Sequence, residues 1–122
     1  MKRMLLVISL LNLGLLSTTA VSAEIAAVRQ NELLYFLRHD CGSCHGMTLK
    51  GGLGPALLPE TLSVKPKNYL VTTIMEGRQN TAMPPWKSML TYDEAAWIVD
   101  QLQNGTVQQT ELVQNKQSGD KQ

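Results

Sequence analysis

Two cysteines occur in the 122 residues, three positions apart, with a histidine directly after the second: Cys41-Gly42-Ser43-Cys44-His45. No other feature constrains the chain as tightly. Two thiols so spaced on a helical turn reach two vinyl groups on one edge of a porphyrin. The imidazole that follows then lies beneath the iron. Gly42 and Ser43 are small, so the turn can approach a flat macrocycle closely. The motif reads as the attachment site of one c-type haem, tethered by Cys41 and Cys44 and ligated by His45. Three rival readings use the same residues. A structural disulfide suits an exported chain with two cysteines. A redox dithiol also uses C-x-x-C, but wants a βαβ pattern that is not visible around the motif. Zinc needs further ligands, and only His39 and His45 remain as imidazoles.

The compartment follows from the first residues. Lys2 and Arg3 give a basic start, Met4 to Leu16 is mostly apolar, and Val21-Ser22-Ala23 places small residues where a signal peptidase reads them. Asn12 and Gly14 interrupt the apolar run, which falls short of the roughly 20 residues of a membrane span. Residues 1–23 are therefore expected to be a signal peptide and the mature chain to be periplasmic; an uncleaved anchor is the alternative. Losing Lys2 and Arg3 moves the formal charge from +1 to about −1. So neutral a chain offers no electrostatic case for nucleic acid or a membrane surface. Residues 24–105 are expected to form one domain, acting as a monomer. That length is marginal for a hydrophobic core, and the aromatic content is only 5%. A buried haem would supply the missing interior.

A closed haem needs a second axial ligand. His39 lies six positions before His45, on the same side, and reads as an exposed or capping residue. Met47 is too near His45 to cross over, while Met75 and Met89 read as core. Met83 stands in Asn80-Thr81-Ala82-Met83-Pro84-Pro85-Trp86, where two prolines stiffen the backbone and remove amide donors. A rigid extended loop suits a weak thioether ligand, and His/Met is the usual pairing of electron carriers. The alternative is a methionine packed on the core.

The remaining elements read as helices and loops, without convincing strands or repeats. Glu24 to Arg38 reads as a helix leading into the cysteine turn, with Glu24 in its first turn and Leu33, Leu34, Phe36 and Leu37 as its apolar cluster. Lys50 to Leu57 is glycine-rich but lacks the G-K-[ST] of a phosphate loop. Its Gly54 reads as a close approach to a flat ligand, and the Pro55 carbonyl as a partner for the second nitrogen of His45; an ordinary turn is the plain alternative. Leu57, Ile74 and Trp86 complete the expected haem surroundings. Asn68 reads as the cap of a helix over Tyr69 to Glu76 that stops at Gly77. Thr91-Tyr92-Asp93-Glu94 is a capping box opening a last helix to about Asn104-Gly105. Trp97, Ile98 and Leu102 are expected to bury against the first helix. Residues 106–122, rich in Gln, read as a disordered tail.

In this order the pieces resemble a class I cytochrome c, from about Glu24 to Gly105. The run from Arg38 through Cys41-Gly42-Ser43-Cys44-His45-Gly46-Met47 to Gly54-Pro55 is similar to cytochrome c55X, the NirC type. The resemblance implies an all-α fold of three to four short helices around one covalent haem c. It implies Cys41 and Cys44 as thioether residues, His45 as proximal and Met83 as distal ligand. It further implies a periplasmic, non-enzymatic electron carrier that reduces cytochrome cd1 nitrite reductase in denitrification. Two alternatives stand beside this: an accessory role in haem d1 biosynthesis, and an open-site sensor or peroxidase-like protein. The sequence departs from many relatives at Leu33 and Leu34, where they carry a helix-crossing glycine, and at Trp97, about one turn earlier than their aromatic. Both departures predict a wider crossing of the first and last helices. Lys50, Lys65, Lys67, Arg78 and Lys87 are the cations available to ring a docking edge.

Overall fold

The last helix shows most directly how local sequence sets structure. In the computed structural model, which describes residues 24–109 and Lys116, Glu94 N–H donates to Thr91 Oγ1 at 3.2 Å and Thr91 N–H donates to Glu94 Oε2 at 2.8 Å. This reciprocal capping box satisfies two amides that a helix start leaves orphaned. It opens α5 (Tyr92–Gln103), which buries Ala95, Ile98, Val99 and Leu102 at helical spacing. Trp97, expected on that buried face, is only half-buried. Gly105, at φ 71°, turns the chain after α5.

The N-terminal helix α1 (Ala27–Phe36) begins three residues later than expected. Glu24 lies ahead of it, exposed, and Ala26 takes the cap position. Leu33 and Leu37, four apart, are fully buried; each such side chain contributes on the order of 2 kcal/mol of hydrophobic stabilisation. α1 passes through a π-helical turn (Leu37–Cys41) into the single-turn α2 (Gly42–His45). Gly42 N–H bonds back to Leu37 O, five residues earlier. An unbroken α-helix would place Cys41 on the Leu33–Leu37 stripe. The wider turn places buried Gly42 there and leaves Cys41 half-buried beside it.

After a glycine-rich loop and the short α3 (Pro59–Leu62), α4 (Lys67–Glu76) buries Val71 and Met75. It starts two residues before the expected Tyr69: Pro66, with φ −59°, takes the cap position in place of Asn68, and its carbonyl accepts Leu70 N–H at 3.2 Å. α5 packs chiefly along α4 and only sparsely against α1, although α1 was its expected partner. Arg29 bridges the α1 side by donating to Glu94 Oε1 at 2.6 Å. Met89, expected in the core, is 55% exposed, because the short segment before α5 buries Leu90 instead. Residues 106–109, expected to begin the tail, are helical, and Val107 is 2% exposed within the core; apart from Lys116, the rest of that expected tail lies outside the described residues. The signal peptide expected over 1–23 lies outside the described residues. Among the described residues there is no strand, and no helix is long and apolar enough to cross a membrane.

Candidate haem site

The Cys-His segment is held by the loop that follows it. A helix ends with carbonyls that lack partners. Here Gly54 N–H donates to Cys44 O at 2.9 Å and Gly51 N–H to His45 O at 2.8 Å. The loop therefore folds back under α2 and brings Pro55 to the imidazole. His45 Nδ1–H donates to Pro55 O at 2.7 Å, which fixes the tautomer and leaves Nε2 as the nitrogen available to a metal. Gly54 makes this approach possible: a Cβ there would lie 2.7 Å from Cε1 and Nδ1 of the ring.

Cys41 and Cys44 are free thiols, both half-buried. Burial, with the Asp40 carboxylate adding to it, pushes the Cys41 thiol up to about 12. It therefore lacks the depressed pKa that marks a redox-active cysteine. Zinc finds no home: among the described residues no cluster of three or more His, Cys, Asp or Glu could hold a metal ion. His39, expected to be exposed, is exposed and stacks against Tyr35 with ring centroids 4.1 Å apart.

Met83 lies on the expected irregular loop, half-buried. Two backbone bonds shape this loop: Arg78 N–H donates to Met83 O across it, and Trp86 N–H donates to Ile74 O and ties it to α4, each at 3.1 Å. The Trp86 ring meets Phe36 edge-on at 5.0 Å, joining the loop to α1. Leu57, Ile74, Trp86 and Phe36 pack against the core yet stay partly exposed. No polar or charged residue is buried among the described residues. Partly covered apolar side chains, half-buried thiols and an oriented imidazole fit a porphyrin, which would cover that apolar surface. Sequence reasoning placed Phe36 in the apolar cluster of the first helix and Gly77 as a helix stop, but linked neither Phe36 to Trp86 nor Gly77 to the Met83 loop.

Comparison with known proteins agrees with this arrangement. Residues 26–101 match the family described as cytochrome c oxidase, cbb3-type, subunit III. Cytochrome c55X of Pseudomonas aeruginosa is 53% identical over 81 residues, 66% of this chain and 68% of that protein. A solved structure of the c-type cytochrome NirC superposes with a TM-score of 0.67 at 52% identity, covering 68% of this chain and 98% of that one. A more distant likeness, 40% over 86 residues, is to dihydro-heme d1 dehydrogenase of Pseudomonas aeruginosa; it covers 70% of this chain but only 16% of that protein.

Proposed function

The chain belongs to the cytochrome c55X family, all-α class I c-type cytochromes with one covalently bound haem c, and from that premise we propose that it is a periplasmic one-electron carrier that reduces cytochrome cd1 nitrite reductase. Bound haem supplies one-electron exchange between ferrous and ferric iron. Everything else is the work of this chain's residues. Cys41 and Cys44 tether the macrocycle. His45 ligates through Nε2, and the Pro55 carbonyl, accepting from Nδ1, raises the basicity of the ring. Met83 offers a thioether, a soft donor that favours ferrous iron and raises the potential. Leu57, Ile74 and Trp86 exclude water, which also disfavours the added charge of the ferric state. The observation that carries the reading is the 2.7 Å bond from His45 to Pro55, because it orients the imidazole and leaves Nε2 unprotonated, with a lone pair to offer iron.

The partner docks where the Cys-His loop meets solvent, as a monomer meeting a second protein through a small, short-lived interface. Leu53 is 90% exposed and Met47 51% exposed on that loop. Two of the five candidate cations are engaged elsewhere, Lys67 with Asp100 at 2.6 Å and Lys87 with Glu76 at 2.7 Å. Lys50, between Met47 and Leu53, is the cation best placed to meet a carboxylate. Stopped-flow mixing of the reduced protein with cytochrome cd1 nitrite reductase tests this. Fast, salt-dependent oxidation of the haem supports it, and no oxidation contradicts it.

A second reading has its own support. The likeness to part of dihydro-heme d1 dehydrogenase favours a role in which this chain accepts electrons during haem d1 maturation. Deleting the protein separates the two. A nitrite reductase that carries haem d1 but lacks reductant points to the carrier role, whereas one lacking haem d1 points to maturation.

A further inference from the structure

We propose that Gly77 is the positioning residue for the Met83 ligand, an inference that rests on Met83 being an axial ligand. Gly77 ends α4 at φ 67°, a left-handed conformation that L side chains rarely adopt. A helix stop accounts for that much. It does not account for what lies above the residue. A Cβ at Gly77 would fall 2.6 Å from Pro84 C, 2.7 Å from Met83 O and 2.7 Å from Pro85 N. All three are backbone atoms, so none can swing aside as a side-chain tip could. Real contacts essentially never come under 3.0 Å, so any side chain here lifts the Met83–Pro84–Pro85 backbone by several tenths of an ångström.

The loop cannot absorb that lift locally. Pro84 and Pro85 restrict its torsions. Its base is pinned by the Arg78 and Trp86 amides, and Thr81 Oγ1 donates to Arg78 O at 2.8 Å while accepting from Met83 N–H at 3.3 Å. The displacement therefore passes to Met83 and to the distance its sulfur keeps. Gly105 is the internal control. It follows α5 at φ 71°, also positive, but a Cβ there meets only side-chain atoms, Pro59 Cγ at 3.0 Å and Gln108 Oε1 at 3.8 Å. Both glycines serve their helices, and Gly77 alone serves the ligand loop.

The test compares Gly77→Ala, Gly105→Ala and Met83→Ala in the haem-loaded protein. Both glycine variants should melt at lower temperature, since both force alanine into a left-handed turn. Only Gly77→Ala should match Met83→Ala in losing the weak sulfur-to-ferric band in the red and in binding carbon monoxide when reduced. Gly77→Asn sets a Cβ against the same backbone atoms and should lose the band as well; it serves as the readout if the alanine variant fails to load haem. A retained band and resistance to carbon monoxide in the Gly77 variants overturn the proposal and leave Gly77 a helix stop. Loss of the band in Gly105→Ala also overturns it, since the effect would then be general. A band that survives Met83→Ala sinks the axial-ligand reading itself, a different result from either.

Discussion

Cys41, Cys44 and His45 fall within five consecutive residues of one helical segment, whereas Met83 lies on a separate loop closed by the Arg78 amide and tied to α4 by the Trp86 amide. The first side of the site is held by chain connectivity and by a local loop that returns at once to satisfy Cys44 O and His45 O. The second is held only by tertiary structure: the Arg78 and Trp86 amides, the edge contact of Trp86 with Phe36, and the bare backbone of Gly77. The difference teaches where perturbations should act. Damage to the Cys-His side should decide whether haem is held and the protein folds. Damage to the Met83 side should change the properties of a protein that still assembles.

The largest expected effect follows from the first half of that statement. Replacing both cysteines, Cys41→Ala with Cys44→Ala, should abolish covalent haem and leave a chain largely without helix, because so small a core depends on its cofactor. Far-ultraviolet circular dichroism reads the outcome, and native-like helix in the double variant would refute it. Next in size is Gly54→Ala. Its Cβ would strike the His45 ring at 2.7 Å and pull Nδ1 from Pro55. Lost outer partners of this kind weaken ligation about 10–100-fold. The yield of haem on a denaturing gel should fall, and the potential by voltammetry should rise, because a less basic imidazole favours ferric iron less. Normal values for both would show that the Cys-His side is not as tightly fitted as its geometry indicates.

Smaller effects belong to the helical frame, away from both ligands. Thr91→Ala removes one arm of the capping box and should cost about 1 kcal/mol, lowering the melting temperature by about 4–8 °C with the haem spectrum unchanged. The Glu94 carboxyl makes the same region sensitive to pH. Its hydrogen bond to Arg29, followed by the Thr91 amide, holds it below the ordinary glutamate value of 4.5. The unfolded chain takes up the proton first. The stabilisation is thus complete above 4.5 and is lost as pH falls through the lower folded value. Arg29→Gln should flatten that acid loss. A melting temperature that drops as steeply with acid in the variant as in the parent would show that another carboxylate is responsible.

These contrasts also explain what the sequence made legible. The Cys-His side could be read because its chemistry is local: the motif names its own ligands, and Gly54-Pro55 follows closely enough to return to His45. The capping box was legible for the same reason, all its atoms lying within four residues. The Met83 side was half legible. Two prolines marked the loop, but the need for Gly77 arises only when backbone from another part of the chain lies on it. The π-helical turn left no trace, since Leu33 and Leu37 fit an ordinary helix and the next inward residue, Gly42, has no side chain to continue the stripe. Met89 and Val107 were misplaced because a lone apolar residue in a polar stretch carries no period; tertiary packing exposed one and buried the other.

The central claim is that an imidazole and a thioether from two differently built halves of this chain close on one iron. The ferric absorption spectrum in the red, recorded for the parent protein and for Met83→Ala, tests it most directly. The weak sulfur-to-iron band should be present in the parent and gone in the variant. If the parent shows no such band, or the variant retains it, the two halves do not meet at the metal in the way set out above.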